Sequence, residues 1–333
     1  MYEYDKRVVL TLDAGGTNFV FSAIQGNNEM ISPIGLPAVS DNLDECLEVL
    51  VKGFDRVIAA IPVPPVAISF AFPGPADYEN GIIGDLPNFP SFRGGVALGP
   101  FLKHKYGIPV FIENDGNLFA YGEALSGALP MINRELSLAG CSREYKNLIG
   151  ITLGTGFGAG VVINKVLLTG DNGCGGDIWL MRNKKYPDML AEESVSIRAV
   201  RRVYSDLSGQ SSASLSPKDI YDIAEGIKEG DSHAAIASFN ELGIMAGAAI
   251  ASVLNVVDGL VVIGGGVAGA SKYILPALIT ELRAQLTTFS GNKFPCVSMQ
   301  VYNGEDESER ARFLSLSDSQ AVSYTHLRAH ETL

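Results

Sequence analysis

The sequence predicts a mixed α/β chain of two related halves, each opening on a strand, a glycine-rich turn and a second strand. Three observations carry this. Arg7–Val20 (RVVLTLDAGGTNFV) and Leu148–Val161 (LIGITLGTGFGAGV) share one pattern: an apolar β-branched run, a Gly/Thr turn and a returning apolar run. The chain has 333 residues, which suits two domains better than one. Between and after the two hairpins, further strand patterns alternate with helical ones.

Taken in order, the first hairpin is followed by a helix expected over Leu43–Phe54 and a strand over Ala67–Phe72. A helix at Pro100–Tyr106, a strand at Val110–Ile112 and a helix at Gly116–Ser126 complete the first half. A charged, helical insert is expected over Pro130–Lys146, so the halves should part near Ser126–Asn147. After the second hairpin the pattern predicts helices at Ser194–Ser208, Pro217–Glu229 and His233–Val256. A strand at Leu260–Ile263, the glycine run Gly264–Gly266, a helix at Tyr273–Thr288 and a strand at Val297–Tyr302 follow. Ile244–Ala270 is the most apolar stretch, and a DG turn at Asp258–Gly259 splits it; it reads as a buried helix and a buried strand, not a membrane span.

The last segment, Val322–Leu333 (VSYTHLRAHETL), continues no earlier pattern. Val322 to Thr332 back-translates without interruption into a transposase-type sequencing adapter. The segment is therefore read as non-native and set aside from the fold.

Composition narrows the function. The net charge of −12 opposes a nucleic-acid partner, which requires a basic face. The N-terminal MYEYDKR lacks the apolar core of a signal peptide, and Cys46, Cys141, Cys174 and Cys296 are widely spaced with no CxxC. A cytoplasmic chain with reduced thiols and no thiolate zinc site is expected.

The chemistry resides in the turns. Neither glycine turn is a GxxxxGK[ST] loop, and each leads into a strand, unlike a dinucleotide-binding turn. Two such turns suit phosphates held by backbone N–H groups. Asp13 ends a buried strand beside Gly15, Gly16, Thr17 and Asn18, where a hard carboxylate suits Mg²⁺ through water. Gly154, Thr155, Gly156 and Gly158 form the second turn. Glu113-Asn114-Asp115-Gly116-Asn117 follows a strand directly; clustered carboxylates and amides there fit a sugar's neighbouring hydroxyls. Asp115 is also a candidate helix cap, a role Asn114 or Asn117 could take instead. Gly264, Gly265 and Gly266 offer a flat surface for an adenine or ribose.

As an ordered set these motifs resemble the ROK family (repressor, open reading frame, kinase) over roughly Val8 to Tyr302. They are DAGGTN at 13–18, PGP at 73–75, LPN at 86–88, ENDGN at 113–117, GTGFGAG at 154–160, GGD at 175–177 and IGGGV at 263–267. The resemblance implies an α/β, two-lobed actin-like ATPase (ribonuclease H-like) fold with duplicated βββαβα-type lobes. Residues 1–126 would form the N-terminal lobe, completed by a C-terminal helix missing from this chain; 127–304 would form the C-terminal lobe, with 305–321 returning toward the first. It implies an ATP- and Mg²⁺-dependent sugar kinase with Asp115 as general base. Asn88, Asn114, Asp177 and Glu192 would contact the sugar. Gly15, Gly16, Thr17, Thr155 and Gly156 would cradle phosphates, and Gly264–Gly266 would lie against adenosine. A homodimer is a further implication.

The chain departs from the family at one wall of the sugar site. Where the family carries Glu-x-Gly-His and then a cysteine-rich zinc loop, this chain has Asp177-Ile178-Trp179-Leu180 and the cysteine-free Met181–Ala191. Zinc is not expected, and the identity of the sugar is left open among glucose, mannose, fructose and N-acetylhexosamines. Three other readings stand beside a hexose O6 kinase: a non-catalytic sugar-sensing regulator, an acyl-phosphate kinase and a polyphosphate-using enzyme. The regulator is disfavoured by the short segment before the first strand, which leaves no room for a DNA-binding domain.

Overall fold

A computed structural model of the chain describes residues 2–15, 18–72, 74, 76–84, 90–315 and, for the backbone alone, 322–327. It divides into two compact units, Met1–Leu118 and Phe119–Leu333.

In the first unit, β1 (Val8–Ala14) and β2 (Asn18–Gln25) form the expected hairpin, paired from Val8↔Gln25 to Ala14↔Phe19. Two short strands, β3 (Asn28–Glu29) and β4 (Ile34–Pro37), pair with β2. Helix α1 spans Leu43–Ala60, further than the expected Phe54; Asn42 caps it by accepting from Glu45 N. Its inward residues Cys46, Leu50, Phe54 and Val57 continue at helical spacing beyond Phe54, which is why the helix continues too. β5 (Ala67–Ala71) lies parallel to β1. A small hairpin of β6 (Ala76–Asp77) and β7 (Ile82–Ile83) precedes α2 (Leu98–Tyr106). β8 (Val110–Glu113) then extends the sheet to the order β3-β2-β1-β5-β8. Phe21, Phe54 and Phe70 lie at the centre of its core.

Helix α3 (Asp115–Leu125) carries the division between units at Leu118/Phe119, upstream of the expected boundary at 126/127. The reason is packing: Ala120 and Ala124 belong to the core of the second unit, with α4 (Ala128–Leu138). The insert is helical only to Leu138; Gly140, at φ +82°, ends it, and Asn133 bonds both the N–H and the carbonyl of Tyr145 at 2.8 Å to fix the return.

The second unit repeats the first unit's strand pattern. β9 (Leu148–Leu153) and β10 (Phe157–Ile163) form a hairpin edged by β11 (Val166–Leu167), and β12 (Leu260–Gly264) lies parallel to β9. Strands β9 and β12 are almost wholly apolar because both sheet faces are covered. Ile149, Ile151, Val261 and Ile263 face a helical layer of α5 (Ile197–Ser208), α6 (Pro217–Ala224), α7 (Ser232–Val257) and α8 (Ser271–Leu282). Leu148, Leu260 and Val262 face α3 and α4. Helix α7 is long and apolar enough to cross a membrane, but it packs against α5, α6 and α8, as the split apolar stretch predicts.

Three expected helices are shorter. α5 starts at Ile197, capped by Ser196, and not at Ser194. α6 stops at Ala224, before Gly226 at φ +72°. α8 stops at Leu282, and the following residues form a hairpin of β13 (Gln285–Thr287) and β14 (Lys293–Pro295), turned at Gly291. β15 (Gln300–Asn303) leads into α9 (Glu307–Leu314). Phe313 of α9 packs against Tyr145 and Tyr302, so the described part of 305–321 sits on the second unit, where a return toward the first was expected. The tail set aside above supplies backbone strand β16 (Val322–Leu327), parallel to both β12 and β15. Val, Tyr and Thr suit a pleated sheet whatever a segment's origin.

Candidate active site

In the first unit the described candidate residues gather at one sheet end. Asp13 pairs with Ala71, and Ala71 with Glu113, so the three residues form one row across β1, β5 and β8. The Asp13 side chain is exposed beyond the buried Leu12, beside Asn18 at the start of β2. Asn114 and Asp115 follow Glu113 directly.

Glu113 organises that corner. Its Oε1 accepts from Asn114 N at 2.9 Å and from Asn117 Nδ2 at 3.1 Å, closing the turn around Asp115. Asn114 Oδ1 accepts from Gly116 N at 2.9 Å, and Asp115 Oδ1 from the same N–H at 2.8 Å. Asn114 thus shares the capping of α3, and no hydrogen bond among the described residues engages Asp115 Oδ2. The Asp115 side chain is exposed. Gly16, Thr17 and Asn88, expected to hold phosphate and sugar, lie outside the described residues. A Cβ on Gly15 would come within 2.9 Å of Asn18 O, so the first turn is tight.

In the second unit the expected residues gather at the C-terminal ends of β9 and β12. Gly154 N donates to Gly156 O at 3.1 Å, and Ile197 N donates to Gly154 O at 2.9 Å, fixing the turn to the start of α5. Gly264 pairs with Thr152, which sets the glycine run beside this turn. Gly265 has φ +92°, and a Cβ there would meet Leu153 O at 2.5 Å; only glycine allows that approach. A Cβ on Gly266 would meet nothing within 4 Å, so that face is open.

Glu192 is bound into the same turn. Its Oε2 accepts from Phe157 N at 3.1 Å, and a Cβ on Gly156 would sit 2.6 Å from that oxygen. Its Oε1 accepts from Arg198 Nη2 at 3.1 Å. Asp177 is exposed and starts a 3-10 turn, Ile178–Leu180, that packs against the turn Ala191–Glu193 carrying Glu192. Trp179 packs against the second unit's core, while Leu180 is exposed.

Asn183 and Arg198 carry no motif and were missed from sequence. Asn183 is 2% exposed with every side-chain hydrogen-bonding position used. Its Nδ2 donates to Leu190 O at 3.1 Å and Ser194 Oγ at 2.7 Å; its Oδ1 accepts from Lys185 N and Tyr186 N, each at 3.0 Å. Lys184 pairs with Glu281 at 2.5 Å and Lys185 with Glu241 at 2.8 Å. The segment 181–191 is therefore closed by an amide and tied down by ion pairs. It offers no thiolate or imidazole, and among the described residues no group of three or more metal-ligating side chains comes together. This donor set does not fit the zinc of related loops.

A sequence profile of the ROK family matches residues 9–308. The fold is similar to the crystal structure of a glucokinase from Parabacteroides distasonis ATCC 8503, at 56% identity and a TM-score of 0.87, covering 98% of this chain and 94% of that one. A glucokinase of Thermotoga maritima is 26% identical over 290 residues, 82% of this chain and 86% of its own. The xylose repressor of Bacillus subtilis is 24% identical over 262 residues, 74% of this chain and 61% of its own. With nearly the whole chain matched and the strand pattern repeated in both units, this chain belongs to the ROK family and is a sugar kinase with the two-lobed actin-like ATPase fold.

Proposed function

We propose that the chain transfers the γ-phosphoryl group of ATP to O6 of a hexose, glucose or a close relative, with Asp115 as general base. The observation that carries this reading is the exposed Asp115 carboxylate, whose Oδ2 is unengaged among the described residues, directly beyond the row that holds Asp13. Similarity to two glucokinases supports glucose as the first substrate to test.

In this reading Asn114, Asn88, Asp177 and Glu192 orient the hydroxyls. Asp115 accepts the O6 proton as that oxygen bonds to the γ-phosphorus, and the bond from phosphorus to the β-bridging oxygen breaks to release ADP. Positioning and electrostatics do most of the work in such a transfer. Gly15, Gly16, Thr17 and Asn18 in the first turn, and Gly154, Thr155 and Gly156 in the second, hold the phosphates through backbone and hydroxyl groups. Gly264–Gly266 present the open face seen at Gly266 to adenosine. Asp13, an exposed hard carboxylate, fits Mg²⁺ through water; the ion, when bound, neutralises phosphate charge. The first unit is accordingly the sugar and base lobe, and the second the nucleotide lobe. A cytoplasmic homodimer without a nucleic-acid partner, in keeping with the net charge of −12, completes the proposal.

The test is ADP release from MgATP against a panel of hexoses, with Asp115→Asn in parallel. One preferred hexose and a loss of at least ~10²-fold in the variant support the reading. Sugar binding without turnover by the wild type would favour a sugar-sensing regulator, the reading that similarity to a xylose repressor suggests.

A further inference from the structure

Arg198 lies in the first turn of α5, one residue after Ile197, whose N–H anchors the second glycine turn through Gly154 O. Its guanidinium reaches three acceptors. Nη2 donates to Glu192 Oε1 and to Glu193 Oε1, each at 3.1 Å, and Nη1 donates to Thr155 O at 3.4 Å. Glu192 is at the same time bound through Oε2 to Phe157 N. The carboxylate is therefore bridged between a guanidinium on α5 and a backbone N–H at the start of β10.

A glutamate side chain left to itself samples several rotamers, and a ligand that needs one of them must bear the cost of selecting it. Here both oxygens are committed, one contact each, and each oxygen keeps a lone pair for a neighbouring hydroxyl. The contact to Arg198 is charge-assisted and stronger than a neutral hydrogen bond. The hydrogen bond to Glu192 in turn raises the guanidinium pKa, so Arg198 stays charged. Lysine would not reproduce the arrangement, because one ammonium cannot present a planar fork to two carboxylates and a carbonyl.

We propose that Arg198 is a positioning residue for the sugar, holding the Glu192 carboxylate in place against the second glycine turn before substrate arrives. The inference rests on the reading of Glu192 as a sugar contact. Arg198 sets sugar affinity through its contact with Glu192. It touches neither the transferred group nor the base.

The experiment uses the full chain, with glucose as the probe and two readouts: ADP release, and the fluorescence of Trp179, the single tryptophan. Arg198→Ala should raise the glucose KM about tenfold, in line with the cost of a misplaced binding group, while kcat and the KM for ATP stay within about twofold. Arg198→Lys should recover only a minor part of the loss. In a Glu192→Gln background, Arg198→Ala should add less than about twofold, because the two residues act through one contact. An unchanged glucose KM in Arg198→Ala, or equal losses in both backgrounds, overturns the assignment. Should Arg198→Ala fail to fold, Arg198→Lys decides, and a wild-type glucose KM in that variant overturns it. A wild type that neither binds nor phosphorylates any hexose removes the sugar-site reading itself, an outcome distinct from turnover with an indifferent Arg198.

Discussion

Glu192 and Phe157, 35 positions apart in sequence, are joined directly: the glutamate Oε2 accepts the phenylalanine N–H at 3.1 Å. Gly156 makes the approach possible, since a Cβ there would stand 2.6 Å from the same oxygen. Gly156→Ala should displace the carboxylate and raise the sugar KM about tenfold. Steady-state kinetics with glucose varied at saturating ATP measures it; an unchanged KM would show that Glu192 does not report to the sugar.

Asp115→Asn keeps the size of the side chain and removes the proposed base. The expected result is a fall in kcat of ~10² or more with glucose affinity, read from Trp179 fluorescence, changed little. Loss of affinity with kcat preserved would instead make Asp115 a binding residue.

Asn183→Ala leaves the Ser194 hydroxyl and the N–H groups of Lys185 and Tyr186 without their partner in a site that is 2% exposed. A buried group left unpaired costs about 1–3 kcal/mol, so urea denaturation should show a loss of about 2–3 kcal/mol. Because the loop is closed by this amide, a zinc-selective chelator in the presence of excess Mg²⁺ should leave both the melting temperature and the activity unmoved. A chelator-induced fall in Tm would show that a metal holds the loop after all.

Gly265→Ala forces a Cβ onto Leu153 O at 2.5 Å in a backbone at φ +92°. Strain of about 1–3 kcal/mol is expected, relieved by movement of the β9 and β12 ends. The KM for ATP should rise more than the KM for glucose; the reverse order would remove the adenosine role proposed for this glycine run.

Asp219 gives a pH-dependent signature unrelated to catalysis. Lys228 and the Ser216 capping box hold its carboxyl well below the usual carboxylate range. A depressed folded pKa contributes stability above the unfolded value and loses it as pH falls toward the folded one. The Tm gap between wild type and Asp219→Asn should therefore be full at pH 7 and shrink below about pH 4. A gap that is constant with pH would assign the effect to shape rather than charge.

Local pattern was enough for the hairpins, the split of the apolar stretch into α7 and β12, and the placing of Asp13 and Asp115 at strand ends. These are short-range properties: periodicity, glycine turns and the order of motifs along the chain. Helix ends were less legible. Gly140 and Gly226 stop α4 and α6 through positive φ, whereas the length of α1 depends on a core partner at each turn. The division inside α3 could not be read at all, because it depends on which core Ala120 and Ala124 join.

The sequence by itself determined the duplicated α/β plan, the family and the position of the two glycine turns, since each is written in contiguous residues. Only the tertiary structure decided how the segment 181–191 and the Glu192 carboxylate are held. Asn183 saturated within 181–191, and Arg198 bridging Glu192, Glu193 and Thr155, depend on side chains brought together from separate segments. No spacing rule encodes such contacts: a polar residue's role is set by which unpaired donors and acceptors the folded chain leaves beside it.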